Sequence, residues 1–321
     1  MKISFPFGLS ATALFLALAA CTLSLWAQTS EKPSSSATLS NSCIEVPQSM
    51  TFCGETISLA RFDRRERMDR ELLAFSYMHS TTLQMIKRAN RYFPIVESIL
   101  RENGVPDDFK YLMSIESNNN PLARSVAGAA GLWQFMPATG REFGLEVGNS
   151  VDERYHVEKS TRAACRYLKQ AYARFGSWIS VAASYNAGQG RISRELDRQY
   201  EEDALDLQLV EETARYVYRI LAAKMLFADP TRFGFRLHAS DLYPPIPYRE
   251  IKVEETIEDL PRFAKSQGIT YALLRTMNPW LRSRTLHVHG SKTYYLRIPD
   301  KERMYYNPRV TFPHDPKWVV E

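Results

Sequence analysis

The chain has 321 residues, 45% hydrophobic and 24% charged, with a formal net charge of +5. This composition excludes a disordered or fibrous protein and leaves room for two domains. The densest basic run, Arg61-Phe62-Asp63-Arg64-Arg65-Glu66-Arg67, is interleaved with acids. That is the pattern of a solvated helix face, not of a nucleic-acid stripe.

Lys2 precedes an apolar stretch from Ala11 to Ala27, after which the chain turns polar at Gln28-Thr29-Ser30. Residues 1–27 therefore read as a secretory signal peptide; a transmembrane anchor is the rival, but the apolar run is at the short end of the roughly 20 residues needed to span a bilayer. Within it, Leu18-Ala19-Ala20-Cys21 resembles a bacterial lipobox, which implies a signal ending before a lipidated Cys21 and attachment to the outer membrane. Ala27-Gln28 resembles an ordinary signal-peptidase site, and both readings stay open. Either one places the protein outside the cytoplasm, in the periplasm or at the outer membrane.

Residues 28–60 read as a linker, because the Ser/Thr-rich stretch Thr29 to Ser42 cannot bury a core. Cys43 and Cys53 can close a small disulfide loop in an oxidising compartment. Metal binding is the alternative, but no His accompanies them. Cys165 falls on an apolar helix face and reads as a core residue.

Over residues 61–103, Met68, Leu72, Phe75 and then Met85, Ala89 and Phe93 recur at helical spacing before Pro94 interrupts. A further short helix carrying Ile95, Ile99 and Leu100 is expected to stop at Asn103-Gly104. Pro106-Asp107-Asp108 opens the next helix, which runs to Ser117. Gly128-Ala129-Ala130-Gly131 makes a tight turn. Val157 to Phe175 is amphipathic and closed by Gly176, Trp178 to Tyr185 is an apolar, Ala-rich segment expected to be buried on most sides, and Val210 to Leu221 defines a last long helix.

Residues 237–247 contain Tyr243-Pro244-Pro245-Ile246-Pro247 and read as an interdomain linker. Beyond it come a strand (Tyr248 to Val253), a helix (Thr256 to Ser266), a second helix (Tyr271 to Met277) and a strand (Tyr294 to Ile298). Residues 301–321 are left as a tail. The expected class is mainly α, with a small α+β (βααβ) module.

Glu116 is the residue most suggestive of chemistry. Phe109, Leu112, Met113 and Glu116 share one helical face, so a carboxyl stands where the pattern calls for an apolar side chain. It also lies near a helix C-terminus, where the dipole disfavours negative charge. Both effects raise a carboxyl's pKa, as an acid that protonates a leaving sugar oxygen requires. The alternative is a structural glutamate paired with an arginine such as Arg124.

Glu116-Ser117, Gly128-Ala129-Ala130-Gly131-Leu132-Trp133-Gln134-Phe135-Met136-Pro137, Ser184-Tyr185-Asn186-Ala187-Gly188-Gln189-Gly190 and Glu212-Thr213-Ala214-Arg215-Tyr216-Val217 stand in that order. Together they resemble the four motifs of the lytic transglycosylases with an SLT catalytic domain, glycoside hydrolase family 23. With the helical segment before and the module after them, they are most similar to its membrane-bound D branch. The resemblance implies a lysozyme-like helical catalytic domain over residues 104–236, acting on peptidoglycan glycan strands. It implies Glu116 as catalytic acid and base, with Ser117, Gly131, Gln134, Tyr185, Asn186 and Tyr216 around the sugar. Gly128 and Gly131 would let the backbone approach the strand; Trp133 reads better as core. The motifs include no second carboxylate, which ordinary glycosidases need; Asp152 and Glu153 are candidates by sequence proximity only. A single carboxyl fits the family reaction, closure of a 1,6-anhydro ring without water. No cofactor or metal is implied, and protein partners are not legible.

Residues 248–300 resemble a LysM module. Supporting residues are Thr256-Ile257, Leu260, Ala264, Gly268-Ile269-Thr270, Leu273-Leu274, Asn278-Pro279 and Leu296-Arg297-Ile298. Glu254-Glu255-Thr256 replaces the usual Gly-Asp-Thr, and Trp280 to Thr293 is longer than is typical.

Overall fold

The computed structural model describes residues 43–320, so the expected signal peptide and Cys21 lie outside the described residues. Among the described residues, 44–320 form a single compact unit. It opens with a hairpin, β1 (Ser49–Phe52) and β2 (Glu55–Ser58), in antiparallel register from Ser49↔Ser58 to Phe52↔Glu55. The two-residue turn Cys53-Gly54 has positive φ at both positions, the geometry that matches strand twist.

This hairpin corrects the linker assigned to residues 28–60. Phe52, Ile57 and Leu59 are buried in the main core. The Glu55 carboxylate accepts from Ser177 Oγ at 2.8 Å and Trp178 N at 2.5 Å, an anion at a helix N-terminus. Cys43 and Cys53 are free thiols, and Cys53 instead packs against that core. Burial and the neighbouring Asp108 push the Cys53 thiol pKa far up.

The helical body comprises α1 (Phe62–Tyr77), α2 (His79–Glu102), α3 (Phe109–Ser117), α4 (Pro137–Glu142), α5 (Val157–Phe175), α6 (Trp178–Ala187), α7 (Gln189–Gln199) and α8 (Glu211–Ala228). α8 is its axis, packing against α1, α3 and α6, while α2 packs against α5. Pro94 does not interrupt α2, which continues to Glu102. A proline costs the helix one backbone bond, but Phe93, Val96, Ile99 and Leu100 on either side are all buried in the core and hold the line.

The module places β3 (Tyr248–Val253) antiparallel to β4 (Tyr294–Pro299), with α9 (Leu260–Ser266) and α10 (Tyr271–Met277) between them. Asp259 and Thr270 cap the two helices by accepting from Arg262 N and Leu273 N. Buried Asn278 donates to Leu274 O and Arg297 O and accepts from Arg297 N, tying α10 to β4. Mainly α plus a βααβ unit is thus the observed class.

The module is docked on the helical body. Ala130, Val151 and Tyr155 belong to the same buried cluster as Leu260, Leu274, Trp280 and Leu296. Asp152 N donates to Trp280 O at 2.9 Å, and Arg282 N to Ser150 O at 2.8 Å.

Neither connecting segment is free. Tyr243 N bonds Lys87 O at 3.1 Å and Arg91 Nε bonds Pro244 O at 2.9 Å, pinning the proline-rich stretch to α2. The expected tail folds back, burying Trp318 against Phe93 and Phe227, with its indole N–H on Phe227 O at 2.7 Å.

Candidate active site

Glu116 sits on the last turn of α3, whose C-cap Asn118 adopts the left-handed conformation that Asn tolerates. Asn119 then anchors the exit, donating to Met85 O at 2.9 Å and accepting from Ser114 Oγ at 2.9 Å. The carboxyl is half-buried. Burial raises its pKa; the Tyr216 hydroxyl, which donates to Glu116 Oε1, and the charge of Arg219 work in the opposite direction, and Glu212 adds to the rise. Burial prevails. Tyr216, not an arginine such as Arg124, is the partner, and its own hydroxyl is pushed well above 10 by burial and the facing carboxylate.

Tyr216→Phe removes a donor to the ionised form, so the Glu116 titration midpoint should move further up. Carboxyl 13C NMR checks this; an unchanged midpoint would mean the hydrogen bond does not stabilise the carboxylate.

Tyr185, at the end of α6, donates to Trp133 O at 2.7 Å, and the Glu116 charge contributes to raising its pKa. Glu116, Tyr185 and Tyr216 therefore face one another from three helices. The Asn186 amide oxygen accepts from Thr213 Oγ1 at 2.9 Å, fastening the end of α6 to the start of α8. Ser117 is buried and donates to Met113 O at 3.1 Å, one turn back on its own helix.

The glycine turn is fixed from within the fold. A Cβ on Gly131 (φ +79°) would lie 1.8 Å from Arg154 O, so the close approach is to the protein's own backbone. Gln134 sits at φ +48° and its amide donates to Ala123 O at 3.2 Å and Gly131 O at 2.8 Å, closing the loop. Trp133 is fully buried, its indole N–H on Thr161 Oγ1 at 2.9 Å.

Asp152 and Glu153 are both engaged elsewhere. The Asp152 carboxylate binds Arg154 Nη2 at 2.7 Å and Nε at 3.0 Å; Glu153 pairs with Lys159 and accepts from Glu146 N. Buried Arg154, which sequence reasoning missed, also donates to Gly128 O at 2.8 Å and Phe135 O at 3.0 Å, bracing the turn from beneath. Its only sequence signal was an arginine two residues after an aspartate. Thr213 was in view as part of a motif, but nothing marked it as a tie to Asn186.

Residues 94–208 match the family described as Transglycosylase SLT domain, and residues 249–302 that described as Soluble lytic transglycosylase C-terminal LysM-like domain. Membrane-bound lytic murein transglycosylase D of Escherichia coli (strain K12) is 31% identical over 242 residues, 74% of this chain and 52% of that protein. The chain thus spans about half the length of that relative. Soluble lytic murein transglycosylase of the same strain is 36% identical over 90 residues, 26% of this chain and 14% of that protein. A solved structure, the 70 kDa soluble lytic transglycosylase from Escherichia coli, aligns at 25% identity over 44% of this chain and 25% of its own, with a TM-score of 0.37. The first match begins inside α2 and ends before α8, so Tyr216 lies beyond it. Residues 94–208 are thus similar to transglycosylase SLT domains, and residues 249–302 to the LysM-like domains of soluble lytic transglycosylases.

Proposed function

We propose that this chain is a peptidoglycan lytic transglycosylase that cleaves the β-1,4 bond between N-acetylmuramic acid and N-acetylglucosamine. The observation that carries the reading is a half-buried Glu116 whose pKa is raised, bonded by the buried Tyr216 hydroxyl and near the partly buried Tyr185, while Asp152 and Glu153 are held in ion pairs. Glu116 gives its proton to the departing sugar oxygen as the C1–O bond breaks. The resulting carboxylate, steadied by the Tyr216 hydroxyl, takes the proton of the muramoyl C6 hydroxyl, and O6 bonds to C1. A 1,6-anhydro end forms, no water is consumed, and Glu116 regains its proton. The attacking hydroxyl belongs to the same sugar, so proximity supplies part of the rate.

Ser117, Gly131, Gln134, Tyr185 and Asn186 belong to this reading as the surroundings of the sugar, and the LysM-like module as a second hold on the wall. Export to the cell envelope fits the N-terminal sequence and the membrane-bound relative. Among the described residues no helix is long and apolar enough to cross a membrane; lipidation at Cys21 or cleavage near Ala27 would set how the protein is held there. Mass spectrometry of peptidoglycan digested with the full chain tests the reaction: anhydro-muropeptides are expected, and reducing ends alone would make it a hydrolase.

A further inference from the structure

Glu71 lies on α1, outside both matched domains, and is 1% exposed. A carboxylate is costly to bury unless paired. Its partners are Arg215 Nε at 2.5 Å and Arg219 Nε at 3.9 Å, which leave α8 on either side of Tyr216. A cavity of about 410 Å³ opens among Glu71, Arg215, Arg219 and Glu212, and its wall includes Ile115 and Asn118, which flank Glu116 in the chain. Arg219 is the more loosely held of the two arginines, and it stands one helical turn after Tyr216, whose hydroxyl donates to Glu116.

We infer that Glu71 is a positioning residue for the acid at Glu116, acting through Arg219: its carboxylate holds Arg219 back from Glu116. This rests on the reading of Glu116 as the acid. The groups facing Glu116 are Tyr216, Arg219 and Glu212 from α8 and Tyr185 from α6; from α2, Arg88 bonds the carbonyl of Asn118. In the wild type Arg219 stands against the Glu71 carboxylate, at 3.9 Å. Without it, Arg219 turns to Glu116 and Glu212, and the ionised form of Glu116 gains the cation. The acid then loses its proton at lower pH, and less of it is competent at neutrality.

The test is a carboxyl 13C NMR titration of Glu116, assigned by its loss in Glu116→Gln, alongside the pH–rate profile of anhydro-muropeptide release. Glu71→Gln should lower the titration midpoint and cut the rate on the alkaline side about tenfold, the effect of one well-placed charge. Arg219→Gln should raise the midpoint, and the double variant should follow Arg219→Gln. An unmoved midpoint in Glu71→Gln, or a downward shift that persists without Arg219, overturns the inference. If Glu71→Gln does not fold, the half-exposed Arg219→Gln decides, and no upward movement refutes it. Should the wild type release no anhydro product while the midpoints move as stated, the proposed reaction fails and the positioning role stands.

Discussion

Glu116→Gln should abolish strand cleavage, by at least about a thousandfold, while peptidoglycan binding and the far-UV spectrum stay as in the wild type. A lone general acid is worth roughly 10²–10⁴ in rate, and in the proposed reaction one group serves both proton transfers. The substituted amide keeps an oxygen that can accept from the Tyr216 hydroxyl, so the packing of α3 on α8 survives. Retained cleavage would remove Glu116 from the mechanism.

The same variant carries a thermodynamic signature. Burial raises the Glu116 pKa above its unfolded value, so the folded chain holds more protons in the window between the two. Stability contributed by that proton is present below the window and lost as pH rises through it. Glutamine has no proton to lose. The variant should therefore melt above the wild type at alkaline pH and level with it in acid, as calorimetry at two pH values would show.

Gly131→Ala should be among the most destabilising single changes in the helical body, about 4 kcal/mol. The new Cβ would fall 1.8 Å from Arg154 O and 2.7 Å from Arg154 C, and neither backbone atom can rotate away. Gly128→Ala is the control, since it has a similarly positive φ but meets nothing within 4 Å; the left-handed conformation alone costs about 1–2 kcal/mol. Chemical denaturation of both variants separates the two terms, and equal losses would show that φ, not the collision, fixes the glycine.

Periodicity made the long helices legible. Val157–Phe175 and Tyr271–Met277 fold with the expected bounds, because an apolar stripe every 3–4 residues has few other ways to be buried. The hairpin at Ser49–Ser58 was missed although Cys53-Gly54 signalled it, since serines and threonines around it gave the segment a linker's composition. α7, after the Tyr-Asn-Ala-Gly run, was missed for a different reason: its arginines and acids leave Ile192 as its one buried side chain, so no apolar stripe marks it.

At the site, Glu116 stood out as one polar residue on an apolar face. The Glu116–Tyr216 bond joins residues 100 positions apart, and no local pattern predicts such a meeting; the motif resemblance brought Tyr216 into view. Arg154, Thr213 and Glu71 act through backbone carbonyls or other side chains, and contacts of that kind leave no periodic trace.

The cluster that joins Ala130, Val151 and Tyr155 to Trp280, Leu281 and Leu296 bears on how such a chain can be rebuilt by recombination. Exchanging the LysM-like module for an unrelated one would leave the first three side chains facing water beside the turn that carries Gln134. The incoming module would need its own apolar counterpart in the loop after its second helix. The two families are separable as stretches of text, but in this chain the unit of inheritance is the pair together with its seam.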